Sequence, residues 1–264
     1  MKWKICEMEK IIIYEEKNRN VELSVAIPCY NGKKIGWLCM EGLCNQVDIN
    51  FDWEIIICEE KHNGMLGIDF FKKYVDRLSK IGCKKITYIK LNKWINLAEK
   101  WKIIGKNIDN YNGGYVLQAI DCYPPSKRLS ITNELIKDYD WVDFGQGYFY
   151  SFTLKKLILY KRFNKKNLHM TFKSKYAKNL KSTPKNSGID SFLIKTIIEI
   201  NPDMVRYTYK ELLDGSLDTD GYNNISKGRV KFYKDTKEPF YKTDKKIDKI
   251  GLPDYIVEKI KNMR

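Results

Sequence analysis

The sequence predicts an α/β protein built on a mostly parallel central sheet, and three observations predict it. Strand-length apolar runs alternate four times with segments of helical periodicity, the pattern of a parallel sheet with helices on both faces. The runs are apolar nearly throughout, as strands buried on both faces must be. Two of them, Leu23 to Asn31 (LSVAIPCYN) and Tyr115 to Asp121 (YVLQAID), stop abruptly at polar or ring-constrained residues. Open α/β sheets bind ligands beyond the carboxyl ends of their strands, so two such ends suggest one nucleotide-type crevice.

Residues 1–22 alternate weakly around Ile11, Ile12, Ile13 and Tyr14, which suits an edge strand or an arm. Leu23–Ile27 is a buried strand. Pro28 lacks the N–H for a ladder bond, so the strand is expected to end there and present Tyr30 and Asn31. Lys34–Gln46 places Ile35, Leu38, Cys39, Leu43 and Gln46 at helical spacing. Trp53–Cys58 is the next strand, ending at Glu59 and Glu60. Ile68–Lys80 carries Phe70, Phe71, Tyr74, Val75 and Leu78 on one helical face. Lys85–Leu91 reads as a strand and Ile95–Ile104 as a helix with Leu97, Trp101 and Ile104 together. Tyr115–Ile120 is a strand closed by Asp121.

After Pro124 and Pro125 the pattern changes. Lys127–Tyr139 reads as a helix, and Asp140–Phe152 as a strand that pairs differently from the others. Ser191–Ile200 is a helix stopped by Asn201 and Pro202. Asp214–Gly228, rich in Gly, Asp, Asn and Ser, reads as loop, and Asp254–Met263 as a short amphipathic helix. No internal repeat and no clean linker divide the chain. One domain is expected, with an N-terminal arm over 1–22, a half over 23–150 and a C-terminal elaboration over 151–264.

Composition narrows the function. The chain has 264 residues and a net charge of +15, with 41 Lys against 7 Arg. Residues 1–150 contribute +2 of that charge and residues 151–264 contribute +13. From Ser151 to Lys185 there are eleven basic residues and no acidic one. Biased codon usage explains abundant Lys but not missing Asp and Glu. Such a face attracts polyanions by counterion release, and a solvated lysine-rich surface is the plainer alternative. Lys165, Lys166, Lys173 and Lys175 are the residues singled out for polyanion or acceptor binding. Few Arg residues favour attraction to a phosphate backbone over base-specific reading.

Seven cysteines without a CxxC pair read as reduced core residues. His62 and His169 are the only histidines, which argues against a His-based zinc site or a Ser-His-Asp triad. Any general base is then expected to be a carboxylate. No run approaches the roughly 20 apolar residues of a membrane span, and the charged start is unlike a signal peptide. A cytoplasmic protein is expected.

The order of residues brings a family into view. VAIPCYN ending at Asn31, a helix ending in Asn45-Gln46, and WEIIICEE ending at Glu60 resemble the opening of family 2 glycosyltransferases. The resemblance runs on to a strand ending at the position of the family's D-x-D, here Asp121-Cys122-Tyr123, followed by a P-x-R-L-like stretch through Arg128 and Leu129. It covers roughly residues 21–130. It implies a GT-A-type, Rossmann-like sandwich that binds a nucleotide-sugar donor, with the basic C-terminal elaboration holding the acceptor. Pro28, Tyr30 and Asn31 would lie beside the base or ribose, and Glu59 or Glu60 would stand where the family keeps a base- or ribose-gripping acid. Glu replaces the usual Asp and the following Gly-Ser is absent. Two surface acids are the plainer reading.

Asp121 would hold Mg²⁺ or Mn²⁺ on the donor diphosphate. Only one carboxylate of the D-x-D remains, so metal independence, or a capping role for Asp121, stands beside this. An inverting transfer also needs a base. Asp190, after Gly188 and at the start of an apolar helix, has the placement of the family's catalytic acid, with helix capping as a compatible role. Gly145-Gln-Gly147 lacks the third glycine of a phosphate loop. Trp94 and Trp101 read as packing residues, and Lys100 is a weak candidate for touching the diphosphate.

The acceptor is the open question. The acid-free basic stretch suits DNA carrying a hydroxymethylated base, as in phage and viral genome modification, with the base flipped out to reach the crevice. The alternatives are a glycan acceptor, or a non-catalytic nucleic-acid-binding protein on a degenerate scaffold.

Overall fold

The computed structural model describes residues 7–152, 155–162, 168–183, 189–220 and 240–263. Four strands run parallel: β2 (Val21–Cys29), β3 (Asp52–Glu60), β4 (Cys83–Leu91) and β5 (Gly114–Leu117). The edge strand β1 (Met8–Glu15) pairs antiparallel with β4. Beyond β5 the sheet continues through β6 (Trp141–Phe144), β9 (Leu168–Lys173) and β10 (Arg206–Tyr209). The order is β1-β4-β3-β2-β5-β9-β6-β10, with β9 antiparallel to both neighbours. A smaller sheet has the order β11-β7-β8-β12, from β7 (Gln146–Ser151), β8 (Lys156–Lys161), β11 (Leu217–Asp220) and β12 (Phe240–Lys242).

Helices cover both faces. Alternate side chains of β3 separate the two cores: Trp53, Ile55 and Ile57 face one, Ile56 and Cys58 the other. The first core is closed by α1 (Trp37–Cys44), the short α2 (Ile68–Lys72) and α3 (Val75–Ser79), and α5 (Arg128–Asp138). The second is closed by α4 (Leu97–Gly105) and α6 (Ile189–Ile200). The helix α4 begins where a cap is expected, with the Asn96 side chain accepting the Glu99 N–H at 2.9 Å. Gly113 admits β5 alongside β2, since a Cβ there would lie 1.8 Å from the Glu22 carbonyl oxygen.

Several expectations change in detail. Pro28 does not end β2; it stays in register with Cys58, and β2 runs on to Cys29. The pairing of β2 with β5 stops at Ala26 and Leu117, so the missing N–H of Pro28 falls where no β5 partner remains. The expected helix over 68–80 is two short helices. The segment over 140–152 is two strands in different sheets, and part of the expected loop over 214–228 is β11. Leu168–Lys173, within the basic stretch, is an interior strand. The terminal helix α7 (Asp254–Lys261) packs Ile256, Val257 and Ile260 against Trp37 and Leu38 of α1, with Lys259 Nζ 3.9 Å from the Trp37 ring centre.

The described cysteines are free: Cys29, Cys39, Cys58 and Cys83 are buried, and Cys44 and Cys122 half-buried. Among the described residues no helix is long and apolar enough to cross a membrane.

Leu217 joins the small sheet to the main body: it is fully buried and bridges Tyr123 in both directions, at 2.7 and 3.0 Å. Leu217→Ala is expected to lower unfolding free energy by about 2–5 kcal/mol in urea denaturation.

Candidate active site

The chain runs from β2 outward through β3 to β4, then returns to the other side of β2 as β5. The gap between the carboxyl ends of β2 and β5 is therefore a topological switch point, where open α/β sheets take their ligands. Tyr30 and Asn31 follow β2 directly, Glu59 and Glu60 end β3, and Asp121 lies in the turn four residues beyond β5. The residues expected to form the donor site thus meet at one end of the sheet.

Their environments differ from expectation. Glu59 is turned inward: its carboxylate accepts the Leu66 and Gly67 N–H groups at 2.8 and 3.0 Å and the Tyr88 hydroxyl at 2.8 Å. It pins the loop after β3. Glu60, on the opposite face, forms a buried ion pair with Lys100 of α4, and the two are 1% and 3% exposed. Lys100 Nζ also donates to the Cys29 carbonyl at 2.5 Å and lies 5.7 Å from the Tyr30 ring centre. The two acids are therefore not surface residues, and their hydrogen bonds hold the chain around Tyr30. Lys100→Met is expected to cost about 3–5 kcal/mol, because Glu60 would keep a buried charge without its partner. Adding Glu60→Gln should recover most of that loss in thermal or urea unfolding.

The loop after β3 is stitched to the end of β2. Lys33 N–H donates to the Gly64 carbonyl at 3.0 Å, and a Cβ on Gly64 would lie 1.9 Å from Asn31 Oδ1. Asn31 itself is left-handed, with φ 53°, a conformation Asn tolerates better than most residues. The His62 ring lies 5.2 Å from Tyr30, and its Nδ1 accepts the Gly64 N–H at 2.8 Å.

Asp121 is held from two sides. Thr219 Oγ1 of β11 donates to its carbonyl at 2.8 Å, and Gln118 Nε2 donates to the carbonyls of Ala119 and Cys122 at 2.8 and 3.1 Å. Asn45 Nδ2 donates to the hydroxyls of Tyr123 and Tyr255, tying α1, this turn and α7 together. No group of three or more His, Cys, Asp or Glu stands together as a metal cage among the described residues. An ion at Asp121 would draw one oxygen from that carboxylate and the rest from phosphate and water. The donor set fits a cation carried in on a diphosphate and not one held by the protein alone.

Asp190 is the second residue of α6. At the far end of α6, Asn201 Nδ2 donates to the Tyr176 hydroxyl at 2.9 Å, which donates to Asp140 at the start of β6 at 2.8 Å. Because β6 runs parallel to β5, α6 ends at the amino edge of the sheet and starts at the carboxyl edge, on the crevice side.

The basic residues behave differently. Lys173 pairs with Gly114, at the amino end of the sheet, and Lys173 and Lys175 each place Nζ 3.7 Å from Asp140 Oδ1. Burial opposes ionisation of Asp140, yet the Tyr176 hydroxyl, the Val205 N–H and these lysines hold its pKa below the usual carboxylate value. Lys165 and Lys166 lie outside the described residues. Trp101 packs in the core as expected, whereas Trp94 is 51% exposed in the loop between β4 and α4.

Comparison with solved structures gives matches to S. aureus TarS. TarS 1–349 in complex with UDP-GlcNAc superposes with a TM-score of 0.58 at 12% identity, over 77% of this chain and 60% of that one. Its complex with UDP gives 0.54 at 12% identity, over 74% and 61%. A longer TarS structure gives 0.56 at 12% identity, over 81% of this chain and 38% of that one. The fold is GT-A. This GT-A chain spans about 60% of the TarS 1–349 structures, and the likeness is one of architecture. No family model matches the chain, and no curated protein matches it by sequence.

Two elements of the GT-A crevice escape a reading of the sequence. Lys100, by sequence only a weak candidate for touching the diphosphate, is the buried partner of Glu60. Thr219 sits in a stretch expected to be loop, and only the apolar Leu217 beside it hints at a strand.

Proposed function

We propose that this protein is a glycosyltransferase, moving a hexosyl or pentosyl group from a nucleotide-sugar donor to an acceptor hydroxyl with inversion. The observation that carries this reading is the convergence of Tyr30, Asn31 and Asp121 at the β2/β5 switch point of a GT-A sheet. The bound UDP-GlcNAc of the structurally similar TarS supports it. Tyr30 and Asn31 flank the base and ribose, and the internal bonds of Glu59 and Glu60 keep that strand end rigid. Asp121 faces the diphosphate, with Mg²⁺ or Mn²⁺ neutralising the leaving group when it is carried in. The acceptor oxygen attacks the anomeric carbon, the bond from that carbon to the diphosphate breaks, and the hydroxyl proton passes to Asp190.

Isothermal titration with UDP, GDP and their sugars, with and without Mn²⁺, tests the donor half. Mass spectrometry of acceptors after incubation with a nucleotide-sugar panel tests the transfer. A folded protein that binds no nucleotide would leave only the non-catalytic nucleic-acid-binding reading.

For the acceptor, the +13 charge of residues 151–264 supports a polyanion such as DNA bearing a hydroxymethylated base. The contacts of Lys173 and Lys175 with Asp140, away from the crevice, favour a neutral glycan instead. Salt separates them. A DNA acceptor predicts duplex binding that falls by about a thousandfold between low and physiological salt for six or more phosphate contacts. It also predicts further loss when Lys165 and Lys166 are reversed to Glu. Salt-insensitive transfer to a neutral sugar would assign the protein to glycan synthesis.

A further inference from the structure

Arg128 is the first residue of α5 and has no exposed surface. Its direct partners are neutral: Nη1 donates to Gln118 Oε1 and Nη2 to the Leu117 carbonyl at 2.7 Å. Its Nε is buried without a hydrogen-bond partner. A buried cation bonded only to neutral groups is costly, and the start of a helix, already positive, adds to that cost. Desolvation pushes the guanidinium pKa down to about 10, with Asp218 on β11 the main charge opposing this, so it remains a cation at neutral pH. Its charge also reinforces burial in holding His169 neutral.

The position of this charge points to its use. Arg128 grips the last residue of β5 and, through Gln118, the carbonyls of Ala119 and Cys122 on either side of Asp121. A crevice with two carboxylates repels a diphosphate unless a divalent cation intervenes. Here the one carboxylate of the D-x-D position lies on a turn whose backbone the buried cation holds through Gln118.

We propose that Arg128 is the resident cation of the diphosphate site, a positioning residue that holds the Asp121 turn through Gln118 and offsets the diphosphate charge from beneath it. This rests on the crevice being a nucleotide-sugar site. It makes divalent metal an aid to donor binding and not a condition of it.

Isothermal titration of UDP and GDP into the full chain, in EDTA and in Mn²⁺, tests this. Wild type is expected to bind one of them in EDTA within about tenfold of its Mn²⁺ affinity, the worth of one charge-assisted contact. Arg128→Met, of similar length but uncharged, is expected to lose EDTA binding while Mn²⁺ restores most of it. Arg128→Lys, which keeps the charge without the two-pronged grip, should retain EDTA binding better than Met. A merely structural Arg128 would weaken both conditions equally, and that result overturns the proposal. If the variants do not fold, wild type decides alone: nucleotide binding seen only with Mn²⁺ overturns the role of Arg128 and leaves the donor site standing. Absence of nucleotide binding in both conditions overturns the donor site and this inference together.

Discussion

Asp121→Ala is expected to lower the rate of sugar transfer by about 10²–10³ while leaving the melting temperature nearly unchanged. The turn that carries Asp121 is held through backbone carbonyls, by Thr219 from one side and Gln118 from the other, so loss of the carboxylate does not release it. The side chain is half-buried at the switch point, where its Oδ1 accepts the Cys122 thiol at 3.6 Å. What would disappear is the carboxylate proposed to hold a divalent cation against the diphosphate, where negative charge develops as the nucleotide leaves. Removing one such group costs about 10²–10³ in rate. Asp121→Asn should show a similar loss, because shape is kept and charge is not. Rates measured across a Mn²⁺ series distinguish the causes: Mn²⁺-dependent turnover surviving in Asp121→Ala would show that the cation is held elsewhere.

The readable part of this molecule is its parallel core. β2, β3 and β4 are buried on both faces, so their sequences are continuous apolar runs that need no partner to be recognised. The ends of those runs carry Tyr30, Asn31, Glu59 and Glu60, and their meeting follows from strand order once the chain turns back beside β2. Partnership across the fold is not readable in the same way. Glu59 and Glu60 are adjacent acids in sequence, yet strand alternation sends them to opposite faces, one to backbone amides and one to Lys100 forty residues away. Arg128 is read from sequence only as part of the P-x-R-L-like stretch, and the fold shows that it is enclosed.

The C-terminal half hides its strands for a related reason. Leu168–Lys173 alternates apolar and polar residues within a basic run, and its antiparallel place between β5 and β6 is set by long-range pairing. Leu217–Asp220 offers one large apolar side chain among Asp and Thr residues. The charge run from Ser151 to Lys185 contains no acid, but the fold brings Asp140 to Lys173 and Lys175, and Glu199 to Lys181. Local charge density in a sequence is thus an upper bound on the charge a surface presents.

Asp190→Asn is expected to lower transfer to the acceptor by about two to four orders of magnitude, the range for losing a general base. The substitution is nearly isosteric and keeps an oxygen able to cap the first turn of α6, so stability should change little. Donor binding should survive, because Tyr30 and Asn31 follow β2 and Asp121 lies in the turn after β5, separate from α6. The topology is what makes this carboxylate the candidate. α6 runs antiparallel to β5 and β6 and begins at the carboxyl edge of the sheet, so Asp190 opens the helix on the side where the donor's anomeric carbon would lie. A base there loses activity as pH falls through its carboxyl pKa, so wild-type kcat/KM should drop on the acid side while the Asn variant stays uniformly low across the same range. Titration of nucleotide into Asp190→Asn, paired with single-turnover transfer, separates binding from chemistry. Near-normal turnover in a variant that binds donor normally would move the base to another acid, with Asp214, Asp218 and Asp220 around β11 the next to replace.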